Sequence, residues 1–259
     1  MEFPVISQNL VMSFSLVLVR VGSLIGTMPL FGEPLVPIRV KAGLSFVIAI
    51  LLFPVVSSFV PPVPDSFLPL FFMMISEALI GAALGFSARL IFAAAQLAGE
   101  VMGIQVGFSV ANTIDPVSRI HISLIGQVQY VFAILIFLLT NAHHIFLNVI
   151  ADSFQITPFI FFHSSVDWMN FIVSLTRNLF VLAVKLSIPV IAVVFLSNVG
   201  LGIVARTVPQ INVFIVGFPL HIAIGLIFFG LTIPLSGMLL QNAYGELSQS
   251  VYALLKGLR

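Results

Sequence analysis

The chain has 259 residues, 60% of them hydrophobic and only 7% charged, with 26 Phe, a mean hydropathy of +1.21 and a net charge of +1. A soluble domain carries about a quarter charged residues, so composition excludes one and points to an integral membrane protein. The near-neutral balance without a basic block argues against nucleic acid, and the absence of Cys excludes disulfides, thiolate metal sites and cysteine catalysis.

Apolar runs of about 20 residues or more recur along the chain, which selects helices over a barrel of short alternating strands. The first runs from about residue 9 to 31 and contains Arg20 and a Gly22-x-x-x-Gly26 pair. With no basic stretch before it and no cleavage site, it reads as a retained helix. The second follows Arg39 and Lys41 and runs to about Val60, with a kink expected at Pro54, and Pro61-Pro62-Val63-Pro64-Asp65 stops it. The third, Ser66 to about Gly103, is roughly 57 Å long as helix against a hydrocarbon core of about 30 Å. It either overshoots the bilayer or breaks.

A fourth run, about Pro116 to Val149, is again oversized, and the Asn141-Ala142-His143-His144 patch is the expected place where it leaves the apolar layer. Asp152 to Trp168, rich in Phe154, Phe159, Phe161 and Phe162, has the composition of a membrane interface. The fifth run spans about Trp168 to Val204, with Lys185 and Pro189 inside it. A polar turn at Arg206, Pro209, Gln210 and Asn212 precedes the sixth, Val213 onward, which is expected to break at Pro219 and Pro234. Leu247, Val251, Leu254 and Leu255 then form one face of an amphipathic helix. Basic residues in alternate links, Arg39, Lys41, Arg119 and Arg206, outweigh Lys256 and Arg259, which places both ends of the chain on the outer side.

Charges inside apolar runs, Arg20, Glu77, Arg89, Glu100 and Lys185, each cost about 2.5 to 3.5 kcal/mol at a helix centre in lipid. They are expected to face protein or water: paired across helices, placed on parts of the long segments that lie beyond the lipid, or acting as a proton or ion relay. Close helix packing is expected at Gly81 and Gly85 and along the face of Gly99, Gly103 and Gly107. His143, His144 and Asp152 do not make a metal site: adjacent histidines point to different helix faces, and no third His follows at ligand spacing. No nucleophile elbow, zinc motif or phosphate loop is present, so the reading is a non-enzyme without cofactor.

Between two apolar runs lies Phe108-Ser109-Val110-Ala111-Asn112-Thr113-Ile114, small, polar and β-branched, followed by Asp115-Pro116 in the pattern of a helix start. Non-helical backbone at membrane depth is tolerated only where protein buries it or where it lines a cavity. This link therefore points to a cavity, a pore or a buried interface.

The string Arg206-Thr-Val-Pro-Gln-Ile-Asn-Val-Phe-Ile-Val-Gly-Phe-Pro-Leu220 resembles the FliR family of the type III protein export gate, called SctT in the injectisome branch. The Arg20 to Pro29 region, the Val36-Pro37-Ile38-Arg39 turn and the stretch from Gly107 to Pro116 carry the same resemblance. The Asn-Val-Phe run and the absence of a long basic tail look more like the flagellar than the virulence branch. The resemblance implies an all-α, polytopic inner-membrane subunit of long kinked helices and hairpins, packed in a larger helical assembly. It implies FliP and FliQ as partners and FlhB and FlhA as neighbours in the flagellar basal body, with unfolded protein substrates passing through. It further implies a FliP-like part over residues 1–165, with a plug loop at 107–118 formed by Phe108 to Ile114, and a FliQ-like hairpin over 166–259 whose turn is cytoplasmic. An ion-coupled secondary transporter is the alternative from the residues alone.

Overall fold

A computed structural model describes residues 8–33, 36–60, 64, 66–108, 123–157, 165–210 and 212–257, and every regular element among them is an α-helix. In chain order these are α1 (Gln8–Thr27), α2 (Ile38–Val56), α3 (Phe67–Val106), α4 (Leu124–Leu139), α5 (Ala142–Ile156), α6 (Ser165–Thr207) and α7 (Val213–Gly257). A chain this apolar finds no water for its backbone, so each N–H and C=O pairs within its own segment. That requirement overrides the prolines. A proline deletes one ladder bond, whereas a break in apolar surroundings would orphan several more groups. The breaks expected at Pro219 and Pro234 are accordingly absent, and α7 runs through both, as α2 runs through Pro54 and α6 through Pro189.

The third segment does not break either. At 40 residues α3 is about 60 Å long, and fitting it into about 30 Å of hydrocarbon by tilt alone would need about 60°, beyond the usual limit of about 40°. It is longer than one ordinary span needs, and so are α6 and α7, with 43 and 45 residues. Helices α1, α2, α3, α6 and α7 are each long and apolar enough to cross a membrane, and α4 with α5 passes the same test as a broken pair. The protein is a multi-pass membrane protein. The fourth run divides at Asn141, which takes the left-handed conformation (φ 53°) ahead of α5. The helix start expected at Asp115-Pro116 lies outside the described residues, and Ser123 caps α4, its hydroxyl accepting from the Gly126 N–H at 3.2 Å.

The helices group into two compact units, one of residues 1–90, 141–175 and 244–259, the other of 91–140 and 176–243. In the first, α1 buries Leu16, Val17, Val21, Leu24 and Ile25 on one stripe. It packs on α2, where Phe14 meets Phe46 and Phe53 edge-on at 5.6 and 5.5 Å, and α2 packs in turn on α5. In the second, Phe92 of α3 packs edge-on against Tyr130 and Phe137 of α4 at 6.0 and 5.4 Å. The most apolar windows of α2 and α7 are only 11% buried, so these helices present most of their side chains to lipid or to other proteins.

Candidate functional site

Arg20 is wholly buried in α1, in the first unit. A guanidinium carries donors on three nitrogens in a fixed fork, and burial requires each of them to be met. Nε and Nη2 grip the Glu77 carboxylate of α3, Nη2 at 2.9 Å. Nη1 donates to the Ser153 hydroxyl at 2.8 Å and Nη2 also to the Thr157 carbonyl at 3.1 Å. The ring of Phe154 lies 4.0 Å below the guanidinium carbon. Ser153, Phe154 and Thr157 form the last turn of α5 and its C-cap, where helix carbonyls lack intrahelical partners and the dipole favours a cation. One arginine thus neutralises a carboxylate from α3 and caps α5.

Of the five intramembrane charges singled out from the sequence, the structure brings together Arg20 and Glu77. Arg89 and Lys185 are exposed, and Glu100 is half-buried and accepts from Gln96 at 3.1 Å within its own helix. Phe154, read from composition as an interfacial residue, is instead 2% exposed against Arg20. The partners Ser153 and Thr157 were missed, since nothing in the local pattern marks two hydroxyl residues as acceptors for a side chain more than a hundred positions earlier. The His143 and His144 rings lie with centroids 4.2 Å apart, tilted at 54° to each other, and so do not diverge as adjacent helical positions suggest. Among the described residues no cluster of three metal-ligating side chains occurs. Asp152 accepts the Tyr252 hydroxyl at 2.6 Å.

The glycines differ sharply in what surrounds them. A Cβ at Gly81 would strike the Arg20 carbonyl and the Ser23 hydroxyl, and one at Gly85 would lie 2.6 Å from the Leu24 carbonyl, so α3 rides directly on the α1 backbone. In the second unit, a Cβ at Gly99 would lie 2.5 Å from the Gly126 Cα of α4, and one at Gly103 2.5 Å from the Ser123 hydroxyl. Ser123 also donates to the Gly99 carbonyl at 3.3 Å, tying the start of α4 to α3. A Cβ at Gly26, by contrast, would meet nothing within 4 Å.

Gly107 ends α3 with φ 99°, a conformation that side chains oppose. Phe108 follows, half-buried, and Ser109 to Ile114 of the central link lie outside the described residues. A Cβ on Gly107 would stand 3.2 Å from the ring of Phe218 in α7, and Val106 fills the notch left by Gly225 of the same helix. The root of the link is therefore seated on the first turns of α7. Arg206, Pro209, Gln210 and Asn212 are all exposed at the turn before α7, where the Asn212 side chain accepts from the Ile215 N–H at 3.4 Å.

Residues 11–247 match the family described as bacterial export proteins, family 1. The chain is 37% identical over 253 residues to the flagellar biosynthetic protein FliR of Bacillus subtilis (strain 168), covering 94% of each chain. It is 32% identical to the protein of the same name from Escherichia coli (strain K12), over 89% of this chain and 87% of that one. For the FliR of Caulobacter vibrioides the identity is 29%, over 90% and 93%. With the family model matching residues 11–247 and a relative 37% identical over 94% of each chain, the protein belongs to the FliR family of bacterial export proteins.

Proposed function

We propose that this chain is a structural and gating subunit of the flagellar type III export gate in the bacterial inner membrane. In this reading it assembles with FliP and FliQ relatives, beside FlhB and FlhA, around a channel for unfolded substrates. The observation that carries the reading is the seating of Gly107 and Val106 against Phe218 and Gly225 in α7. Through Phe218 it joins the root of the central link to the Arg206–Leu220 string, the most specific stretch of the family resemblance. Helices that outlast the bilayer and leave most of α2 and α7 uncovered are supported by partner helices in an assembly. The division into a FliP-like part over 1–165 and a FliQ-like hairpin over 166–259 belongs to the same proposal.

On this reading Phe108, Val110 and Ile114 supply an apolar constriction, which blocks ions by dewetting and not by binding them. Deleting Val110 to Thr113, or changing Phe108 and Ile114 to Gly, is expected to leave assembly with FliP and FliQ intact while making cells leaky to ions. An assembled, tight and fully exporting mutant would remove the plug. The exposed turn is proposed to be cytoplasmic. Cysteines at Thr207 and Gln210 are expected to react with an impermeant thiol reagent only after the inner membrane is opened, and labelling in intact spheroplasts would reverse the orientation.

A further inference from the structure

Thr157 holds two helix ends at once. Its carbonyl receives Arg20, and its hydroxyl donates to the Leu255 carbonyl of α7 at 2.8 Å. Leu255 lies near the end of α7, so Thr157 provides that end with a hydrogen bond from another element, as a capping side chain does. Beside it the Tyr252 hydroxyl donates to Asp152, and Leu247, Val251 and Leu255 turn a buried apolar stripe inward. The opposite face of the same turns carries Glu246 and Gln249, both exposed. The end of α7 is thus an amphipathic segment held in the first unit by an apolar stripe and by the hydrogen bonds of Thr157 and Tyr252.

We infer that this end of α7 is a latch whose closure depends on the Arg20–Glu77 pair, with Thr157 as the positioning residue that links them. The physical path is short. Arg20 fixes the Thr157 carbonyl, which fixes the direction of the neighbouring hydroxyl, and that hydroxyl caps α7. Loss of the pair frees the last turn of α5 and removes the cap. Linkage makes the effect reciprocal, so opening the latch loosens the acceptors that complete the Arg20 site. This inference does not rest on the gating proposal.

The chain has no cysteine, so one introduced thiol reports one position. Val251, 1% exposed, reports the latch, and Ala49 of α2, fully buried in the same unit, reports the unit as a whole. Labelling by N-ethylmaleimide is followed in membranes from cells producing the complete export apparatus. Thr157→Val and Glu77→Gln are each expected to speed labelling of V251C roughly tenfold, as losing one net hydrogen bond would. Thr157→Ser, which keeps the hydroxyl, is expected to leave the rate unchanged, and A49C is expected to stay slow throughout. A slow V251C in the Thr157→Val background overturns the latch. A fast V251C with Thr157→Val and a slow one with Glu77→Gln overturns the dependence on the ion pair. Equal opening of A49C in the Thr157→Val background means that Thr157 holds the whole unit together, and it too overturns the latch.

Discussion

Arg20 shows why an internal charge in a membrane helix is read best through all its donors. Removing one partner of a buried pair typically costs about 3 to 5 kcal/mol, because the other charge is left without compensation. Glu77→Ala is expected to destabilise the purified protein by an amount in that range, seen as a lowered thermal midpoint in detergent. Exchanging the two charges, Arg20→Glu with Glu77→Arg, is expected not to restore it. The Thr157 carbonyl needs a donor arriving from α1, and a carboxylate there offers none. A swapped protein as stable as the parent would mean that the pair alone matters. The sequence shows that Arg20 and Glu77 need company, and the count of acids and bases suggests pairing. It does not show that α5 ends at Arg20, because that contact joins positions 133 and 137 residues apart.

Glycines make the same point at single positions. The spacing rule marks Gly22 with Gly26 as readily as Gly99 with Gly103, yet a Cβ at Gly26 meets open space and one at Gly99 meets backbone. Gly99→Ala is expected to cost about 1 to 3 kcal/mol, since the α4 backbone must move. Gly26→Ala is expected to be neutral, or to stabilise by up to about 1 kcal/mol through helix propensity. Thermal unfolding of the two variants side by side checks this, and equal effects would contradict the packing described.

At the scale of elements, the sequence places the helices well where composition changes abruptly and poorly where a single residue must decide. The polar links at Gly32-Glu33-Pro34 and Pro61 to Asp65 and the turn before Val213 fall between helix ranges. Helix α2, however, ends at Val56, short of the expected Val60, and the patch read as the exit from the apolar layer holds a helix division at Asn141. The prolines of α7 mislead, because a local rule about one missing N–H competes with the need of an apolar chain to pair all its other backbone groups. The division at Asn141 depends on a left-handed residue. Asn141→Gly is expected to leave stability unchanged, while Asn141→Ile is expected to cost about 1 to 2 kcal/mol, since a β-branched side chain opposes that conformation. If Ile were tolerated as well as Gly, the backbone at the break would have to differ from the one described.

At the scale of the whole molecule, composition alone gives the all-α membrane class, and one string, Arg206 to Leu220, carries most of the family resemblance. What the residues could not supply is how distant segments combine. Neither compact unit is a continuous stretch, and α3, α6 and α7 each contribute to both. The glycine faces are filled from within the chain, but helices about twice as long as the hydrocarbon is thick and a largely uncovered α2 and α7 are costly in a lone subunit and natural in an assembly. Expressed without partners, the chain is therefore expected to aggregate or be degraded. The most direct test is affinity purification of the tagged chain from its own membranes in mild detergent, with identification of the subunits that remain bound. The account predicts that FliP and FliQ relatives stay with it as a stable complex, and recovery of the chain alone as a well-ordered monomer would contradict it.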